Sequence, residues 1–286
     1  MADISIYIPC YNGARTLARA IESVLALPEA PADIMVIDDG STDDTAAIAE
    51  RFPEVRLIRH NGNLGLAAAR NRGLCEAKYD WVAAIDADVR MEQDWLAKML
   101  ALRGEFPQAT GFGGRLVETA RETAGDRWRC AHMRQEWGAT RRINPPFLFG
   151  ANILFDRRKI LAVGGYDERL RTNGEDVNLA YRLRQNDPAT LLVYAPEAIC
   201  YHMRLDTAVS IARTHWAWYR HPYAVLSPPR DFQEWARFTR KHLIGPISQK
   251  IVADLRVGEW GQALIGLRCL IDNPCREWAA YRRRRR

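Results

Sequence analysis

Residues 4–42 read ISIYIPCYNGARTLARAIESVLALPEAPADIMVIDDGST. A β-branched apolar run (4–9) passes into ARTLARAIESVLAL (14–27), where apolar residues recur at helical spacing, and then into a second strand-like run, DIMVID (33–38). The same alternation continues through STDDTAAIAERF (41–52), VRLIRH (55–60), LGLAAARNRGLCEAK (64–78) and WVAAID (81–86). Ser41 or Thr42, followed by two acids and an alanine run, predicts a helix start near residue 41. This β-α-β-α-β-α-β order predicts a parallel sheet covered by helices, with its working end at the carboxyl edge of the strands. The polar residues gather at that edge: Tyr11, Asp38-Asp39, Asn61 to Asn63, and Asp86-Ala87-Asp88.

Beyond a helix expected near 92–103 the alternation breaks. ATGFGGRLVE (109–118) reads as a strand, and the Arg- and Trp-rich stretch 119–148 has no clear period. A connection of that length is expected to be a functional loop or lid with a helix of its own. ANILFDRRKILAVGG (151–165) reads as a strand and a short helix, and GEDVNLAYRLRQ (174–185) as a helix with acids in its first turn. TLLVY (190–194) and AICYH (198–202) read as two further strands, after which the pattern is helical and amphipathic. The expected division is a domain over 1–205 and a basic, aromatic-rich helical extension over 206–286.

Composition is that of a globular protein: 286 residues, 48% hydrophobic and 27% charged. No apolar run approaches the roughly 18 residues of a membrane span. The N-terminal MADISIYIPC has an acid where a signal peptide needs a basic segment, so a cytoplasmic chain is expected. Six cysteines without a C-x-x-C pair argue against a zinc site and a disulfide framework. The net charge of +6 is uneven: residues 201–286 hold 16 Lys and Arg against 7 Asp and Glu, whereas 1–200 hold 25 against 28.

Two carboxylates one residue apart at a strand end are expected to project to one side. Such a pair suits Mg²⁺ or Mn²⁺ shared with substrate phosphates, because these hard cations take few protein ligands. Capping of the next helix is the competing reading of Asp88. The company of the pair decides the matter. IPCYNGARTLARAIESVLA, VIDDGSTDDTAAIAE, NLGLAAARNRGL, WVAAIDADV and GGYDERLRTNGEDVNLAYRL stand in an order and spacing that resembles the family 2 glycosyltransferases of the GT-A fold, over about residues 4–203.

That resemblance implies a Rossmann-like, mostly parallel sheet flanked by helices, residues 1–110 binding a nucleotide-diphosphate sugar and 111–205 serving the acceptor. Pro9 and Tyr11 would line the base pocket. Asp39 would accept a hydrogen bond from a base N3–H, as a uracil or thymine ring supplies, with Asp38 orienting it or capping the helix near Ser41. Gly65 would allow close backbone approach. Arg70 and Asn71 would either bond across to the first acidic strand end or lie near the pyrophosphate. Asp86 would reach the ribose or a metal-bound water, Ala87 would lie in the nucleotide-sugar site, Asp88 would ligate a divalent cation, Mn²⁺ or Mg²⁺, and His202 is a candidate further ligand. Asp176 would be the general base of an inverting transfer and Glu175 its positioning partner, while Gly150 and Asn152 would touch donor or acceptor. A non-catalytic nucleotide-sugar-binding protein that keeps the fold is the rival reading; it has no use for the E-D pair. A nucleotidyltransferase would need a glycine-rich, basic phosphate loop where this chain has PCYNGAR.

For the basic tail three readings stand: amphipathic helices at an anionic membrane, packing on the catalytic domain or a second subunit, or a disordered arginine end. The first is preferred, since it matches a glycan or polyprenol-linked saccharide acceptor and a peripheral position at the inner face of the cytoplasmic membrane. No recognisable nucleic-acid fold accompanies the basic residues, so nucleic acid is not expected as a partner.

Overall fold

The structure, a computed structural model, describes residues 1–220 and 226–285. The chain runs β1 (Ala2–Cys10), α1 (Leu17–Leu25), β2 (Pro31–Asp38), α2 (Thr45–Ala49), β3 (Arg56–Arg59), α3 (Leu66–Glu76), β4 (Trp81–Ile85), β5 (Val89–Met91), α4 (Trp95–Glu105), β6 (Gly111–Glu118) and α5 (Ala124–His132). It continues with β7 (Arg142–Ile143), β8 (Asn152–Asp156), α6 (Arg157–Ala162), α7 (Glu175–Asn186), β9 (Leu192–His202), α8 (Ala208–Arg220), α9 (Phe232–Phe238), α10 (Gly245–Arg256) and α11 (Trp260–Arg284). Two compact units result. The first is Met1–Thr119, Gln135–Arg171 and Glu175–Met203; the second is Ala120–Arg134, Thr172–Gly174 and Arg204–Arg286.

In the first unit the described strands form one nine-stranded mixed sheet, ordered β3-β2-β1-β4-β8-β6-β9-β5, with β7 against β9. Strands β1 to β4 pair in parallel. β8 runs antiparallel between β4 and β6, and β6 and β9 pair in parallel. Parallel strands must bury both faces, and the side chains of β1 show it. Ile4, Ile6 and Ile8 join a core layer with Leu17, Ile21 and Val24 of α1 and Trp95 and Met99 of α4. Tyr7 points the other way, into a layer with Ala67 and Ala69 of α3 and Leu179 and Leu183 of α7. The small residues of α3 are nearly all buried, which lets that helix press onto the sheet.

Three expectations change. The helix after β2 begins at Thr45, not near Ser41, because the serine and its neighbours serve the preceding turn. TLLVY and AICYH are two ends of one strand, β9, whose pairing with β6 shifts register between Gly114 and Arg115. The short strand β5 was not anticipated; it pairs antiparallel with the end of β9, Val89 opposite His202.

The second unit is helical. Trp128 and Met133 from the α5 segment share its core with Ile211 of α8, Ile247 of α10 and Ile265 and Cys269 of α11. Segment 120–134 thus packs with the tail, far from it in sequence. The Arg129 guanidinium and the buried Asp206 carboxylate form an ion pair there. Among the described residues, no helix is long and apolar enough to cross a membrane.

Candidate functional site

The carboxyl edge of β1 and β2 is a network of loop hydrogen bonds. Asn12 and Gly13 donate their backbone N–H groups to Ser41 Oγ and Thr45 Oγ1, each at 2.9 Å, and Thr42 N–H donates to Asn12 Oδ1. Pro9 is buried and Tyr11 is exposed beside this network. The two acids after β2 divide their work. Asp38 accepts from Ser41 N–H at 2.9 Å and from Arg59 Nε at 2.7 Å, so it holds the turn. Asp39 holds the 60–65 loop: Oδ1 meets Leu64 N–H at 2.9 Å and His60 Nδ1 at 2.8 Å, and Oδ2 accepts Gly65 N–H at 2.7 Å. Gly65 has φ +106, and a Cβ there would lie 2.8 Å from the Arg171 carbonyl oxygen. Only glycine meets both demands.

The D-x-D residues do not lie on a strand. β4 ends at Ile85, and Val89 N–H bonds back to the Asp86 carbonyl at 3.0 Å, so Asp86, Ala87 and Asp88 form the turn between β4 and β5. The two-residue periodicity of a strand therefore does not govern them, and each carboxylate finds its own partner.

Asp86 turns toward Arg70. The Arg70 Nη2–H donates to Asp86 Oδ1 at 3.1 Å, and its Nε stands 3.9 Å from Glu175 Oε1 at the start of α7. The guanidinium is buried, stands over the Tyr166 ring at 5.5 Å, and fits only because residue 150 is glycine: a Cβ there would lie 1.5 Å from Nη1. Burial pushes the Glu175 carboxyl up to about 7, with Arg70 pulling it down and Asp176 adding to the rise. Asp176 and Asp86 are also raised, burial leading in both and Arg70 opposing it. In Asp176 the backbone N–H of Val177, at 2.8 Å from Oδ1, opposes the rise as well. Arg70 remains cationic, since the two carboxylates outweigh its desolvation. Arg70 Nε and Nη1, Glu175 Oε2 and Tyr166 Oη are buried without a hydrogen-bond partner. Unspent polar groups of this kind mark a place built for a ligand or ordered water.

Asp88 turns the other way. Its Oδ2 lies 3.3 Å from His202 Nε2, while His202 Nδ1 meets Glu118 Oε2 at 2.9 Å. The register of β6 and β9 sets this up, with Glu118 directly opposite His202. Burial pulls the imidazole down, but Asp88 and Glu118 prevail and lift it to about 10. The spot therefore favours positive charge. A histidine oriented through Nδ1 by a carboxylate, with Nε2 turned to a second carboxylate, could offer two donors to a small divalent cation. No group of three or more His, Cys, Asp or Glu among the described residues could hold a metal by itself. A cation here would thus keep two protein ligands and draw the rest from water and phosphate, as Mg²⁺ and Mn²⁺ do.

Two other expected residues lie elsewhere. Asn152 is fully buried and spends its amide inside the fold, donating to Arg115 O and Ala198 O and accepting from Trp95 Nε1 at 2.6 Å. It ties β8 to β6, β9 and α4 and has no donor group left for a substrate. Asn71 bonds Tyr166 N–H and O and the Glu168 carboxylate, and so shapes the loop before α7. Neither Arg70 nor Asn71 reaches the acids after β2. Glu118 and Tyr166 were not foreseen at the site. The only signals were a polar strand end in GGRLVE and a tyrosine inside the GGYDE motif.

Comparison with known proteins adds the following. The family model described as "Glycosyl transferase family 2" matches residues 5–162. The succinoglycan biosynthesis protein ExoO of Rhizobium meliloti (strain 1021) is 38% identical over 100 residues, 34% of this chain and 29% of that protein. The poly-β-1,6-N-acetyl-D-glucosamine synthase of Staphylococcus epidermidis is 26% identical over 250 residues, 84% of this chain and 58% of the synthase. The chain therefore spans less than two thirds of either relative. Among solved structures, a mannosyltransferase from Pyrobaculum calidifontis in complex with GDP-Man and Mn²⁺ superposes with a TM-score of 0.61 at 18% identity, covering 95% of this chain and 86% of that one. At that identity the likeness is one of fold.

Proposed function

The chain belongs to glycosyl transferase family 2, and we propose that it moves a sugar, with inversion, from a nucleotide-diphosphate sugar to a hydroxyl of a glycan or polyprenol-linked saccharide. The observation that carries this reading is the buried Arg70 between Asp86 and Glu175. One guanidinium joins the D-x-D turn to the first turn of α7, so donor-side and acceptor-side acids belong to one site.

In this mechanism the diphosphate faces Asp86, Ala87 and Asp88, with Asp88 and His202 as the residues that would hold Mn²⁺ or Mg²⁺. Such a cation, when bound, offsets the charge that develops on the departing diphosphate. Pro9 and Tyr11 border the base. Asp39 Oδ2, with one hydrogen bond from Gly65, has capacity for a second from a pyrimidine N3–H, which selects UDP- or dTDP-sugars. Asp176 takes the proton of the acceptor hydroxyl as its oxygen bonds the anomeric carbon and the bond from that carbon to the diphosphate breaks. A carboxylate whose proton affinity is raised by burial is the better base for this step. Glu175, held by Arg70, positions Asp176. The work is placed at the inner face of the cytoplasmic membrane, where a polyprenol-linked acceptor would be presented.

The test is Asp176→Asn. Transfer from UDP- or dTDP-sugars should fall by about a thousandfold or more, with donor affinity by calorimetry unchanged. Transfer at the parent rate would remove Asp176 from the role of base.

A further inference from the structure

The second unit carries a surface that the catalytic groups do not use. The inner face of α11, including Ile265, Cys269, Asn273 and Ala280, is buried. On the opposite face an ordinary surface helix would be polar. Here that face presents Trp260 (68% exposed), Leu264 (65%), Leu267, Ile271 (66%) and Trp278, preceded in the turn by Val257 (74%). The spacings of four, three, four and seven residues bring all five helical side chains onto one line. From Trp260 to Trp278 that line is about 27 Å long. The first three turns of α11 are thus apolar on both sides; among the described residues the outer side stays open from Trp260 to Ile271, while Trp278 stands partly exposed beside Phe232 and Trp235 of α9.

Charge says what the cover is. The second unit holds 20 Lys and Arg against 9 Asp and Glu, while the first holds 21 against 26. Along the outer face, Arg268 pairs with Asp272 at 3.2 Å, and exposed Arg282 and Arg283 follow the last aromatic. A second copy would bring two strongly positive units together, which Coulomb repulsion opposes. An anionic bilayer meets both features, apolar side chains entering the acyl boundary and arginines meeting the headgroups. Tryptophan at each end suits the same depth. α11 does not qualify as a membrane span, so it would lie in the plane.

We propose that the outer ridge of α11, Trp260–Leu264–Leu267–Ile271–Trp278, seats this chain on an anionic lipid surface. This gives the membrane location proposed above a definite contact face, and it stands on the second unit alone.

The test is flotation of the full chain with vesicles of equal parts phosphatidylglycerol and phosphatidylcholine, and with phosphatidylcholine alone, at low and high salt. Retention is expected on the anionic vesicles and should weaken as salt rises. The double substitution Leu264→Glu and Ile271→Glu should lower binding roughly tenfold for each side chain. Its melting temperature and its transfer to a water-soluble acceptor should stay as in the parent. Equal retention of parent and double variant would overturn the ridge as the contact. Absence of retention on anionic vesicles would overturn it too, as would a dimer by light scattering that the double substitution abolishes. Because transfer to a soluble acceptor is measured separately, failure of the lipid contact and failure of the catalytic reading give different results.

Discussion

Replacing Glu175 by glutamine probes the centre of the site through stability alone. Glu175 is 3% exposed, and burial, with Asp176, lifts its carboxyl to about 7 against the combined pull of Arg70 and its backbone hydrogen bond. In the unfolded chain the same group titrates near its ordinary value of 4.5. The folded pKa is the higher of the two, so between these values the native chain keeps a proton that the unfolded chain has released. Its contribution to stability is therefore complete below the unfolded pKa and is lost as pH rises through the folded one. A gap of that size corresponds to about 3 kcal/mol. Glutamine keeps the shape and does not titrate. Urea unfolding of both proteins, followed by tryptophan fluorescence across this range, gives the difference in their unfolding free energies at each pH. That difference should shift by about 3 kcal/mol from acid to mildly alkaline conditions, in favour of the variant at the alkaline end. Any constant cost of the amide cancels in the comparison. A difference flat to within about 0.5 kcal/mol would mean that Glu175 titrates in the native chain as it does in the unfolded one, and would refute the raised carboxyl.

Two further outcomes follow from the geometry. Gly65→Ala forces a side chain onto φ +106 and against the Arg171 carbonyl; it should cost about 2 kcal/mol in urea unfolding, and an unchanged midpoint would contradict the loop conformation. Asp88→Ala removes the oxygen that faces His202 Nε2, so calorimetric donor binding should lose its enhancement by Mn²⁺ while metal-free binding stays the same. Retained enhancement would exclude Asp88 as a ligand.

Much of the sheet can be read directly from the chain. Strands covered on both sides must be apolar throughout, so ISIYIP, DIMVID and WVAAI stand out from the helices between them. α3 is legible for a related reason: a helix pressed onto a sheet needs small residues, and LAAAR supplies them. Strand ends rich in Asp and Asn also mark where the polar edge lies. Roles at that edge are less legible. Asp38 and Asp39 are adjacent and alike, yet one holds a turn and the other a loop, because the donors they meet come from residues 41, 59, 60, 64 and 65. Asn152 sits in a suggestive motif but is consumed by strand-to-strand packing.

The alternation of strands and helices from β1 to β4, the polar working edge and the acids that gather there were determined by the sequence alone, since local periodicity and burial demand appear residue by residue. Tertiary structure alone decided which acid answers to which cation. Asp86 meets Arg70 across 16 positions, Arg70 meets Glu175 across 105, and His202 meets Glu118 because two strands share a register. It alone also decided which side of α11 is left bare, because that depends on how α8 and α10 cover the other side. Composition could show that the tail is basic and aromatic, but an exposed face is defined only once its neighbours are in place. Electrostatic pairing and exposure are properties of proximity in space, and distance along the chain does not encode them.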